Sequence, residues 1–134
     1  MPSPPLPEAG IAVRDLHIAP MPGASAAARR LVTEGCAAWG MPELTVDATL
    51  VVSELVANAV EHARSEVVVR ISRRAEGVRI EVHDGDTRMP RPAQHDGVLH
   101  LRGRGLLLIQ AMCPSWGAMP TATGKVVWAN LRRL

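Results

Sequence analysis

The spacing of apolar residues sets out a succession of elements. Residues 11–18 alternate loosely and predict a strand, after which Pro20, Pro22 and Gly23 interrupt the chain. Residues 26–39 are rich in Ala, Arg and Leu and lack proline; with Ser25 as N-cap and Gly40 past the end they predict a helix. The strongest helical pattern runs from residue 44 or 45 to 62 or 63, where Ala48, Val52, Leu55, Ala59 and Ala63 recur at helix spacing. Two β-branched runs, 67–72 and 78–83, are joined through Arg73, Arg74, Ala75, Glu76 and Gly77, which reads as a hairpin. Residues 84–102 carry Pro, Gly, Asp and Arg without periodicity, and so predict a long loop. Residues 106–112 then predict a helix that stops at Pro114, and 115–119 with 125–131 a final hairpin.

Strands joined by short turns pair antiparallel, and three helices suffice to cover one face of a sheet. The expected class is therefore α+β: a two-layer sandwich with a mixed, largely antiparallel sheet covered on one face by about three helices. At 134 residues one domain is expected, spanning 11–134 behind a disordered tail at 1–10.

Composition narrows the function classes. The apolar share is 47% with 21% charged residues, and no apolar run approaches ~20 residues, which excludes a helical membrane span. Residues 1–7 lack a basic stretch followed by an apolar core, so a cytoplasmic protein is expected. Fifteen Lys and Arg against thirteen Asp and Glu are dispersed along the chain, and with no Phe or Tyr there is neither a basic footprint nor a stacking series for nucleic acid. Cys36 and Cys113 are isolated and read as buried small apolar residues.

The second helix carries the candidate chemistry. At about 100° per residue Glu54 and Asn58 stand one turn and about 40° apart, with Glu61 on the same side and His62 at its edge. A solvated outer face is one account of them. Leu50 and Val51 share that side, however, so the face is not simply wet. Asn is also a poor mid-helix residue, and a carboxamide oxygen ligates magnesium without repelling triphosphate oxygens. A carboxylate one turn earlier can accept a proton from an attacking hydroxyl.

The run Glu54-Leu55-Val56-Ala57-Asn58-Ala59-Val60-Glu61-His62-Ala63 resembles the N box of the histidine-kinase-like ATPases, and Gly103-Arg104-Gly105-Leu106-Leu107-Leu108-Ile109 resembles their second glycine box. Trp39-Gly40, Ser115-Trp116-Gly117 and Gly124-Lys125-Val126-Val127-Trp128 extend the likeness to the anti-sigma-factor serine kinase branch, over residues 16–131. The resemblance implies the Bergerat ATP-binding fold. It implies ATP with Mg2+ as cofactors, with Asn58 as metal ligand, Glu54 as catalytic base, Asp84 and Gly85 at adenine, and Gly103, Arg104, Gly105 and Leu106 at phosphate. Glycines before a helix suit that last role by themselves, because they let backbone amides approach an anion. Taken alone, Asp84-Gly85 reads as a common turn pair.

The family's usual Asp-x-Gly-x-Gly is here Asp84-Gly85-Asp86-Thr87-Arg88, which stiffens the run and adds a charge near a polyphosphate. Lys125, the only lysine, lies on a terminal strand and is read as a surface residue without a role. His62 reads as a structural residue at a helix end or as a pocket residue, and 87–102 as a nucleotide lid that is mobile without ligand.

Two function classes follow. The first is a protein serine/threonine kinase that phosphorylates a small anti-anti-sigma protein. The second is a non-catalytic module that sequesters a sigma factor or another regulator, with nucleotide setting its shape. Neither class involves direct nucleic-acid or membrane contact; the family resembled tends to form homodimers, and the sequence itself shows no interface. A sensor histidine kinase is excluded on content, since these residues leave no room for a phosphoacceptor hairpin beside the ATPase domain.

Overall fold

A computed structural model describes residues 12–62, 66–86, 107 and 109–133; of His62 it describes the backbone alone. Strand β1 (Val13–Ile18) leads through a turn into helix α1 (Ala24–Ala38). A 3-10 turn at Pro42–Leu44 then opens helix α2 (Thr45–His62). Strands β2 (Val67–Arg74) and β3 (Gly77–Asp84) form the first hairpin, and β4 (Ser115–Thr121) and β5 (Gly124–Arg132) the second. Residues 109–112 are helical.

The strand order is β1-β2-β3-β5-β4, and each of the four pairings is antiparallel, so the expected two-layer sandwich is present with its sheet antiparallel throughout the described residues. Strand phase decides which side chains enter the core. Val67, Val69 and Ile71 on β2, Val78, Ile80 and Val82 on β3, and Val127, Ala129 and Leu131 on β5 turn to the helices and are buried. Ala28, Val32 and Cys36 of α1, with Ile109 and Cys113, close the same core, so both cysteines are the buried, unpaired residues expected.

The start of α1 and the turns of both hairpins differ from expectation. Helix α1 starts before Ser25: its N-cap is Gly23, at φ 96°, with no side-chain cap, so Ser25 lies in the first turn. Both hairpins are tighter than expected, with Ala75 and Glu76 alone turning the first. The close approach at Gly77 explains that register, because a Cβ there would run into the Leu131 carbonyl.

The sheet face away from the helices carries a lattice of charge. Asp15 accepts two bonds from Arg70, at 2.7 and 3.0 Å. Glu81 bonds both Arg79 and His83 at 3.0 Å, and the Arg79 guanidinium sits 4.4 Å from the Trp128 ring centroid.

The expected tail at 1–10, the lid at 87–102, Ala63 and the Gly103 to Leu106 box lie outside the described residues. None of the described helices is long and apolar enough to cross a membrane.

Candidate functional site

Burial around α2 is graded, and the grading follows the helix wheel. Ala48, Val52, Leu55 and Ala59 form the buried stripe, Val56 is buried on one flank, and Val51 on the other. Asn58 lies about 20° beyond Val51, Glu54 about 40° further, and Glu61 and Leu50 beyond that. Accordingly Val51 is wholly buried, Asn58 is 8% exposed, Glu54 is half-buried, and Glu61 and Leu50 are exposed. The face shared by Glu54 and Asn58 is therefore covered only along its Asn58 edge. The wet-face account holds for Glu61 and fails for Asn58.

The side chains of Asn58 and Glu54 have no hydrogen-bond or ion-pair partner among the described residues. The 8% exposure leaves the carboxamide atoms in contact with solvent, so the amide is free to bond a polar ligand that reaches this edge of the helix. Ser53, next to Glu54 in sequence, is committed elsewhere: its hydroxyl donates to the Thr49 carbonyl at 2.7 Å and accepts from Arg29 at 3.2 Å.

Helix α2 packs against β3 on the core face of the sheet. Asp84 ends that strand in the core-facing phase of Val78, Ile80 and Val82, and is 1% exposed. Directly across the ladder stands Lys125, in the core-facing phase of Val127, Ala129 and Leu131, and 2% exposed. The expectation that Lys125 is a surface residue is overturned by this phase. Its Nζ donates to Asp84 Oδ1 at 3.0 Å and to the Asp86 carbonyl at 3.1 Å. The Asp86 amide donates to the same Oδ1 at 2.8 Å.

Asp84 thus serves the turn with one oxygen, as the Asp-Gly pair suggested. Its Oδ2 has no partner among the described residues, and one Nζ–H of Lys125 is likewise unspoken for. The Asp86 departure from the glycine pattern is built into this clamp through its backbone N–H and C=O. Gly85 forms the bend between them. Gly124 permits the clamp, since a Cβ there would strike the Asp84 carbonyl oxygen.

The structure therefore gathers Asp84, Gly85, Asp86 and Lys125 at the β3–β5 end and sets Asn58 and Glu54 on the helix packed against that sheet face. Gly103, Arg104, Gly105, Leu106 and the His62 side chain lie outside the described residues. Among those described, no group of three or more His, Cys, Asp or Glu side chains is placed to hold a metal. The donor set therefore fits magnesium only in the form where phosphate oxygens and water complete a shell begun by the Asn58 carboxamide. Sequence reasoning missed Lys125. The alternation Lys125, Val127, Ala129, Leu131 was the available signal.

A model of the family described as the histidine kinase-like ATPase domain matches residues 18–131. No curated protein matches the chain.

Proposed function

The chain belongs to the histidine kinase-like ATPase domain family, and on that premise we propose that it is an ATP- and magnesium-binding regulatory protein of the anti-sigma-factor kinase type, which phosphorylates a serine or threonine on a small anti-anti-sigma partner. Domains of this family bind ATP with Mg2+ in general. The observation that carries the reading is the unpartnered, 8% exposed carboxamide of Asn58, one turn after the equally unpartnered carboxylate of Glu54.

In this reading Asn58 begins the magnesium shell, and the bound ion supplies charge neutralisation for the β- and γ-phosphates. Asp84 Oδ2 takes the exocyclic amine of adenine. Gly103, Arg104, Gly105 and Leu106, the second glycine box of the resemblance, are assigned to the phosphates. Glu54 accepts the proton as the partner's hydroxyl oxygen bonds to the γ-phosphorus and the bond to the leaving ADP oxygen breaks. Glu54 suits this because no cation among the described residues holds it.

Titration calorimetry with Mg-ATP tests the site: Asn58→Ala should lose detectable binding, and wild-type affinity in that variant would sink the metal assignment. Catalysis is tested separately. Proteins that co-purify from the native cell are incubated with radiolabelled ATP, and Glu54→Ala should bind ATP yet transfer no phosphate. A wild-type chain that binds ATP and labels none of its partners supports the alternative, a non-catalytic anti-sigma or regulator-binding module with nucleotide as a conformational ligand.

A further inference from the structure

An enclosed ion pair that keeps one acceptor and one donor unspent can bond a further polar group on both sides at once. Lys125 and Asp84 are 2% and 1% exposed, yet Asp84 Oδ2 and one Lys125 Nζ–H have no partner among the described residues. Nζ lies 3.0 Å from Oδ1 of the same carboxylate, so the free N–H and the free oxygen belong to adjoining groups. The pair carries no net charge, so it holds little attraction for a phosphate. It suits instead a neutral edge that offers a donor beside an acceptor.

We infer that Lys125 is a specificity-determining residue of the base pocket, donating to the ring nitrogen N1 of adenine while Asp84 accepts from the neighbouring amine. The inference rests on the ATP-binding reading above and adds a second contact to it. Adenine offers an amine donor at position 6 beside the N1 acceptor. Guanine reverses both, setting a keto oxygen against the carboxylate and N1–H against the ammonium. A site built to bond one pattern rejects the reversed one strongly, since its own buried groups are then left unpaired. An aspartate alone would read only the amine; the lysine makes the reading two-point.

The experiment is titration calorimetry on the full chain with Mg2+ and ATP, 1-deaza-ATP (which lacks the N1 acceptor) or GTP. Wild type should bind ATP about tenfold more tightly than 1-deaza-ATP, the effect of one lost hydrogen bond, and GTP more than about a hundredfold more weakly than ATP. Lys125→Met should bind ATP and 1-deaza-ATP alike. If that variant does not fold, Lys125→Gln replaces it, keeping an amide donor toward Asp84 and narrowing the gap. Equal wild-type binding of ATP and 1-deaza-ATP overturns the inference while leaving ATP binding intact, as does a tenfold gap that persists without Lys125. A wild type that binds no ATP overturns both readings.

Discussion

Removing the Lys125 ammonium should be among the most destabilising single changes available to this chain. Lys125→Met keeps most of the apolar stem but leaves the Asp84 carboxylate, 1% exposed, without its counter-charge. Breaking a buried pair from one side costs about 3–5 kcal/mol, and solvent screening discounts little of it here because both partners are almost wholly enclosed. With an unfolding entropy of about 2.1 cal/mol/K per residue, 134 residues give about 0.28 kcal/mol/K, so the midpoint should fall by about 11–18 °C. The double variant Asp84→Asn, Lys125→Met removes both charges while the amide oxygen still accepts from the Asp86 N–H, and should recover most of the loss. Added salt should leave the difference unchanged, because the pair is enclosed. Thermal unfolding by circular dichroism, run on wild type, both singles and the double, measures all of this. A single-variant loss under about 1 kcal/mol, or a double whose loss equals the sum of the singles, would refute the claim that the two charges depend on each other.

Three further outcomes follow from the packing and the titrating groups. Gly124→Ala should destabilise by about 1–3 kcal/mol and weaken ATP binding, because its Cβ meets the immovable Asp84 carbonyl; Gly117→Ala, whose Cβ meets only the Trp128 ring edge at 2.7 Å, should cost less. Burial raises the Glu81 carboxyl, but its bonds from His83 and Arg79 outweigh this and hold it below its ordinary 4.5. Its stabilisation is therefore fully present above that value and lost as pH falls through the lower folded one, so melting scans from neutral to acid should be steeper for wild type than for Glu81→Gln. Burial, then the charge of Asp47, pushes the Cys113 thiol up to about 11 from 9.0. Its contribution is present below 9.0 and lost as pH rises through 11, and thiolate absorbance in the native protein should stay flat until that upper range.

The elements that were legible in the sequence are those whose residues answer to one period. The α2 stripe and the β-branched runs of β2 and β3 each report a single interface, and their burial follows the pattern residue by residue. The start of α1 was not legible, because the chain enters it through a left-handed glycine that offers no side-chain cap to recognise, while Ser25 supplied the expected residue type two positions late. The placing of β5 beside β3 was hidden for another reason. Hairpin logic pairs β4 with β5 and says nothing about which of them pairs with β3.

The site shows how charge can mask phase. Asn58 and Glu54 were readable because an odd residue stood in a regular helix. Lys125 is hidden because a charged residue on a terminal strand is usually solvated, although its alternation with Val127, Ala129 and Leu131 turns it inward. Its partner sits 41 residues earlier, so no local pattern reveals the pairing. Composition held a second clue, since a chain with fifteen basic residues uses lysine once. A planar guanidinium would match the carboxylate as a fork and engage both of its oxygens. The compact ammonium takes one oxygen and one carbonyl, and leaves both an oxygen and a proton for whatever enters the pocket. That spare pair of groups, more than the ion pair itself, is why a lone lysine in an arginine-rich chain argues for recognition over stability.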